Sequence, residues 1–214
     1  MTDDFNTHRT DYTLGFLSED QIDICPFRQF AVWYDEAAKV VEGEPNACAL
    51  ATVSSAGEPS VRFVLLKGMT EGGFVFFSHY DSRKGCELSK NNRAALTFYW
   101  QDLERQVRLE GEVSPISNEE SDLYFASRPR SAQIGATVSK QSRVLSGRSE
   151  LESAVNEASV AFADAPIPRP STWGGYRLLP ARYEFWQGRP DRLHDRLQYR
   201  RDEQGGWIVE RLWP

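Results

Sequence analysis

Cysteine is scarce in this chain of 214 residues. Cys25, Cys48 and Cys86 are odd in number and far apart. They offer neither a disulfide framework nor a metal-ligand spacing, and a reducing cytoplasm is the expected setting. Histidine is as scarce: His8, His79 and His194 are too dispersed to supply a histidine-based metal centre, so no metal is expected. No apolar run approaches the roughly 20 residues needed to span a bilayer. The opening Met-Thr-Asp-Asp-Phe-Asn lacks the basic-then-apolar pattern of a signal peptide. Membrane association is therefore not expected. With 31 acidic against 25 basic residues the net charge is −6, which argues against a nonspecific nucleic-acid binder, since that needs a basic face. A Walker loop, a Gly-x-Gly-x-x-Gly motif, a nucleophile constellation, an internal repeat and a low-complexity segment are all missing.

What the chain does have is ordinary globular composition, 40% hydrophobic and 26% charged, with a rich supply of 12 Phe, 8 Tyr and 6 Trp. The length suits one domain with an appended arm: a polar, flexible arm over residues 1–20 and a single domain over 21–214. Phe27, Phe30, Ala31, Tyr34 and Ala38 recur at helical spacing behind Pro26 and predict a helix to Lys39. From Ala47 the period shortens. Strands are expected at 47–53, 60–67, 74–78, 94–100, 106–113, 176–179, 182–187, 192–200 and 207–212, with the first two as a hairpin. A short helix is expected near 81–88 with Asp81 or Ser82 as cap. A capping box, Ser117 with Glu120, opens a helix over 117–127 that Pro129 stops. One or two helical turns follow at 133–138, and an amphipathic helix spans 149–163. Many short strands at close spacing predict a mainly β, antiparallel small barrel with flanking helices.

The cations gather in pairs: Arg62 with Lys67, Arg83 with Lys84, Arg128 with Arg130, and Arg192 with Arg196. Ser78, Ser82, Gln106, Gln141 and Ser142 stand near them as hydroxyl or amide donors. Arginine forks, lysine point charges and helix N-terminal amides are what a dianionic phosphate needs; Ser82-Arg83-Lys84 at a helix start combines all three. Tyr124 and Arg128 are four residues apart, which on a helix puts them on one face. In Arg192-Leu-His-Asp-Arg196 an extended chain would put Arg192, His194 and Arg196 on one side and Leu193, Asp195 and Leu197 on the other. That face fits either an anionic, electron-rich ligand or an ordinary solvated edge strand.

The stretch Phe185 to Leu197 resembles the C-terminal signature of the pyridoxamine 5'-phosphate oxidase family. Arg62-Phe-Val-Leu-Leu-Lys67, Ser82-Arg-Lys84, Glu104-Arg-Gln106, Ser127-Arg-Pro-Arg130, Ser139-Lys-Gln-Ser142 and Trp173-Gly-Gly175 resemble further family blocks, in the family's order. The resemblance implies an FMN-binding split β-barrel, Greek-key-like, assembled as a homodimer with FMN at the subunit interface. It implies oxidation of pyridoxamine and pyridoxine 5'-phosphate to pyridoxal 5'-phosphate, with O2 as acceptor and H2O2 as by-product. By similarity, FMN would meet Arg62, Phe63, Val64, Leu65, Leu66, Lys67, Phe77, Ser78, Arg83 and Lys84, and also Gln106, Gln141, Ser142, Trp186 and Arg196, several of these from the second subunit. The phosphorylated B6 vitamer would meet Lys67, Tyr124, Arg128, Ala132, Arg192, Leu193 and His194, with Arg9 and Tyr12 from the arm; Arg192 and His194 would be catalytic. The chain departs from the family pattern at Ala132, where a Ser is usual, at Phe77, where a Tyr is common, and at Thr10, where an Arg is common. A related flavin oxidase acting on a phenazine-type metabolite, and a non-catalytic flavin-binding protein, are the alternative expectations.

Overall fold

The computed structural model describes residues 11–70 and 72–214. Helix α1 (Pro26–Val40) precedes strands β1 (Ala47–Val53), β2 (Pro59–Leu65), β3 (Gly68–Thr70) and β4 (Gly73–His79). Helix α2 (Arg83–Lys90), β5 (Arg93–Trp100) and β6 (Arg105–Pro115) follow, then α3 (Asn118–Ser127), α4 (Arg130–Val138) and α5 (Arg148–Phe162). The chain closes with β7 (Trp173–Gln187), β8 (Asp195–Arg201) and β9 (Trp207–Arg211). Hydrogen-bonded strands run in the order β2-β1-β5-β6-β7-β4-β3, with β8 on β7 and β9 on β8. β4 pairs antiparallel with β7 rather than with its successor β5, so connections cross between neighbours, as in a Greek key. The expected mainly β, antiparallel architecture is what the residues form.

The chain divides into two compact units, and β1, β5, β6 and β7 contribute residues to both. The first unit holds the described residues up to Ala49 with 95–111 and 180–214. Its core is aromatic: Phe30 of α1 meets Phe98 edge-on at 5.1 Å, Trp33 meets Phe185 at 5.2 Å, and Phe185 meets Tyr199 at 5.5 Å. Each such ring removed from water stabilises the fold by about 1.5–3 kcal/mol. Residues 14–19 are tied down by side chains: Leu14 N–H donates to Glu104, Leu17 N–H to Asp195, and Arg211 donates to the Leu17 carbonyl and the Glu19 carboxylate.

The second unit holds 50–94 and 112–179. Phe125, Ile134, Ala136, Ile167 and Trp173 form one cluster in it, against which Val155, Ala158 and Phe162 of α5 pack. Ser82 caps α2 through the Gly85 N–H, and the capping box of Ser117 and Glu120 opens α3 as expected. Gly174 and Gly175 lie opposite Ser78 and Phe77 in the β4–β7 ladder. A Cβ on Gly174 would come 2.0 Å from the Tyr80 hydroxyl, and one on Gly175 2.3 Å from Ile116. The two glycines therefore let the Tyr80 ring and the Ile116 side chain close over the strand.

Four local expectations are corrected. Strands 176–179 and 182–187 are one continuous β7, because Pro180 is accommodated within the strand. Helix α4 begins at Arg130, immediately after Pro129, and is longer than the expected turns. Strand β8 starts only at Asp195, so Arg192 and His194 share no strand face with Arg196. Pro190 opens a 3-10 turn in which Asp191 (φ 55°) and Arg192 (φ 61°) are both left-handed. Arg128 is not on the α3 face with Tyr124: it is the C-cap, with extended backbone (φ −73°, ψ 149°), as the following Pro129 demands.

Candidate active site

In the second unit, the alternation of β4 separates two clusters. Ser78 points to one side and Phe77 to the other. On the Ser78 side, Lys84 from the first turn of α2 is buried, and its Nζ donates to Ser78 Oγ at 3.0 Å and Gln141 Oε1 at 2.9 Å. Both partners are neutral. Burial, then the nearby Arg62 charge, lowers the Lys84 pKa to about 8 against the opposing pull of Glu87. A buried ammonium without a bonded carboxylate is costly unless an anion completes its shell. Nearby, Arg62 and Arg83 both pair with Glu87, at 3.2 and 2.9 Å. Glu87 also accepts from Ser60 at 2.6 Å and from Thr52. Its burial raises its pKa, but the bonds from Ser60, Thr52, Arg83 and Arg62 together outweigh that and hold it at about 2.

On the Phe77 side the rings form a column. Phe77 stacks on Tyr124 at 3.8 Å and on Trp173 at 5.3 Å. The Arg128 guanidinium lies 4.7 Å from the Trp173 ring centre. So Tyr124 and Arg128 do meet one neighbourhood, through Trp173 rather than through a shared helix face. Burial raises the Tyr124 pKa and lowers that of Arg128. One terminal nitrogen of Arg128, Nη1, is buried with no hydrogen-bond partner among the described residues. An orphaned charged donor beside a phenol is a site for an anion. Ala132 is half-buried in the first turn of α4, its N–H bonded to the Pro129 carbonyl. Lys67 is exposed, and its side chain has no hydrogen bond or ion pair among the described residues.

The first unit carries the C-terminal residues. His194 packs on Trp186 at 4.6 Å, and Tyr12 meets both rings edge-on, at 5.6 Å from Trp186 and 5.5 Å from His194. The Arg189 N–H donates to His194 Nδ1 at 3.1 Å, so the neutral ring carries its proton on Nε2. Burial and the adjacent Arg192 charge lower the His194 pKa, which favours that neutral form. Arg192 is exposed on its left-handed backbone, and its side chain pairs with no carboxylate among the described residues. Leu193 beside it is 68% exposed. Arg196 is held by Glu184 at 2.9 Å and by the Trp213 carbonyl, and Glu184 also pairs with Arg108. Gln106 is half-buried on β6.

Of the remaining expected contacts, Phe63 is 79% exposed on strand β2, Val64 and Leu65 are half-buried, and Leu66 is buried. Ser142 is exposed with φ 70°. Arg9 lies outside the described residues. Three important residues escaped notice in the sequence. The four-residue spacing from Arg83 was a signal for Glu87. Trp173 stood only within its Trp-Gly-Gly block, and nothing marked Glu184 as the partner of Arg196. Among the described residues there is no group of three His, Cys, Asp or Glu side chains able to hold a metal, and no helix long and apolar enough to cross a membrane.

A mainly antiparallel sheet with flanking helices, connected in this order, is the architecture of the split-barrel class of proteins. Residues 34–161 match the family model "Pyridoxamine 5'-phosphate oxidase", and 173–214 match "Pyridoxine 5'-phosphate oxidase C-terminal dimerisation region". The chain belongs to the pyridoxamine 5'-phosphate oxidase family of oxidoreductases. It is 55% identical over 207 residues to a pyridoxine/pyridoxamine 5'-phosphate oxidase of Paraburkholderia phytofirmans, covering 96% of this chain and 97% of that one. Over 206 residues it is 52% identical to the oxidase of the same name from Bordetella pertussis, with the same coverage. Among solved structures it resembles PhzG from Burkholderia lata 383 in complex with tetrahydrophenazine-1-carboxylic acid, with TM-score 0.89 and 31% identity over 96% of this chain and all of that one. The fold also resembles a pyridoxamine 5'-phosphate oxidase-related, FMN binding protein from Nostoc punctiforme, with TM-score 0.68 and 19% identity over 90% of this chain and all of that one.

Proposed function

We propose that this protein is an FMN-dependent oxidase of pyridoxamine 5'-phosphate and pyridoxine 5'-phosphate, yielding pyridoxal 5'-phosphate with O2 reduced to H2O2. The observation that carries this reading is the presence of two separate donor clusters of phosphate type, the buried Lys84 with Ser78 and Gln141, and Arg128 with Tyr124. A flavin mononucleotide and a phosphorylated vitamer bring one phosphate each. The residues fit FMN: among the described residues Lys84 has only neutral bonded partners and Arg83 keeps its terminal nitrogens free of hydrogen bonds, and Ser78 adds a hydroxyl. Arg62 would act chiefly as a fixed charge, because its terminal nitrogens already donate to Leu50, Thr52, Ser60 and Glu87. FMN, when bound, accepts two electrons as hydride and passes them to O2, which explains why the chain itself needs no nucleophile.

The protein's own residues bind and orient. Lys67, Tyr124 and Arg128 would hold the vitamer phosphate, with Ala132 supplying no hydroxyl there. Arg192, with no carboxylate partner among the described residues, would orient the substrate and stabilise developing negative charge. His194, with Nδ1 occupied, would donate from Nε2 to a substrate oxygen. Tyr12, against both His194 and Trp186, would cover the ring, with Arg9. We also propose a homodimer in which Gln106, Trp186 and Arg196 complete the flavin site across the interface. The exposed Val61 and Phe63 on the terminal strand β2 support an apolar contact of that kind. Cys25, Cys48 and Cys86 form no disulfide among the described residues, which supports a reducing, cytoplasmic setting.

The likeness to PhzG supports a second reading, oxidation of a phenazine precursor, whose carboxylate could also meet Arg128. Purified protein supplied with FMN and each vitamer phosphate in air should form pyridoxal phosphate and peroxide, and elute as a dimer in light scattering. Turnover of a tetrahydrophenazine carboxylate with no pyridoxal phosphate formed would reverse the choice. Flavin binding without either product would leave the non-catalytic reading.

A further inference from the structure

We propose that Glu87 is a positioning residue that presents Arg83 to the cofactor phosphate and fixes Arg62 as a charge behind it. The proposal rests on the FMN reading above and extends it to a residue outside the expected contacts. Glu87 lies one helical turn after Arg83 on α2, and its carboxylate is only 6% exposed. Oε1 accepts from Arg83 Nε at 2.9 Å. Nε–H is the one donor of a guanidinium that lies outside its terminal fork. The bond therefore sets the direction of the side chain while leaving both terminal nitrogens for a ligand, and the Arg83 side chain is 60% exposed. Oε2 takes the other role. With Thr52 and Ser60 it locks Arg62, whose Nη1 donates to Thr52 and the Leu50 carbonyl and whose Nη2 donates to Ser60 and Glu87.

Charge and geometry make opposite predictions here, which is what makes the role testable. Arg62, Arg83, Lys84 and Glu87 are three cations and one anion, a net of two positive charges, matched to a phosphate dianion. If Glu87 mattered only as a charge, neutralising it would strengthen phosphate binding. If it positions the arginines, neutralising it frees Arg83 to point anywhere, and binding weakens because a fork that is not held must be ordered by the ligand.

The test is fluorescence titration of flavin-free full-length protein with FMN and with riboflavin, which lacks the phosphate. Glu87→Gln is expected to weaken FMN binding roughly tenfold and leave riboflavin unchanged. Glu87→Asp keeps the charge but is one methylene too short to hold Arg83 Nε; it is expected to weaken FMN binding as well. In an Arg83→Ala background, Glu87→Gln should cost less than it does in the wild type, since only its hold on Arg62 is then left to lose and neighbours acting through one another are non-additive. Unchanged or tighter FMN binding by Glu87→Gln would overturn the proposal. Equal losses of FMN and riboflavin would do the same, showing a role in the fold alone. A wild-type protein that binds riboflavin as well as FMN would instead show that the phosphate assignment itself is wrong, and the proposal would fall with it.

Discussion

Replacing Arg128 with Met should impair substrate binding while leaving the stability of the ligand-free protein unharmed. Two contributions oppose each other in the ligand-free protein. The guanidinium sits 4.7 Å from the Trp173 ring centre and 5.9 Å from that of Phe125, a cation–π arrangement contributing about 0.5–2 kcal/mol. Its Nη1 is buried without a partner among the described residues, which costs about 1–3 kcal/mol. Met is unbranched and of similar reach, and its sulfur on Trp173 returns about 0.3–1.5 kcal/mol. The sum lies near zero or on the stabilising side, so urea unfolding of the ligand-free variant should give a stability within about 1 kcal/mol of wild type or above it. Substrate binding behaves differently. Losing a charge-assisted contact to a phosphate, about 1.5–3 kcal/mol, raises KM by roughly tenfold to more than a hundredfold. The phosphate is chemically unchanged in the reaction, so kcat should fall less than kcat/KM. Destabilisation by more than about 2 kcal/mol, or a KM within about threefold of wild type, would refute the reasoning.

Three other outcomes follow from the same geometry. Lys84 faces Arg62, Glu87, His79, Ser78 and Gln141, and its folded pKa of about 8 lies below the ordinary 10.5; between those values the folded protein has lost a proton that the unfolded chain keeps. Ligand-free stability should therefore rise over that window. FMN affinity should fall above about pH 8, by up to about tenfold per unit, with riboflavin binding flat as the control; a flat FMN profile would contradict it. Gly85→Ala would put a Cβ 2.2 Å from the Tyr80 carbonyl, so it should displace α2, lower the unfolding midpoint and weaken FMN binding in the same preparation. Arg192→Ala should lower kcat by roughly tenfold or more, because it misplaces the reacting carbon rather than an unreactive phosphate, and flavin content measured by absorbance should stay normal.

Much of the architecture was legible because local signals agreed with tertiary demands. Pro26, the Ser117–Glu120 box and Ser82 each mark a helix start that the structure keeps. The apolar face of β6, Val107, Leu109, Gly111 and Val113, is buried as its period required. Legibility ended where backbone punctuation overrode the period. Two consecutive left-handed residues at Asp191 and Arg192 break the alternation that would have aligned Arg192 and His194 with Arg196. Pro129 turns Arg128 out of α3, and only the long-range stack on Trp173 returns it to Tyr124's neighbourhood. Cations were easy to find because they cluster in sequence. The carboxylates that orient them, Glu87 and Glu184, were not, since Thr52, Ser60 and Arg108 reach them only in the folded chain.

The most direct test of the central claim is anaerobic titration of the FMN-loaded protein with pyridoxamine 5'-phosphate, following the flavin absorbance. The account predicts bleaching with about one equivalent of substrate per flavin, recovery of colour on admitting air, and a much weaker response to pyridoxamine without its phosphate. A flavin that stays oxidised in excess pyridoxamine and pyridoxine phosphates would contradict it.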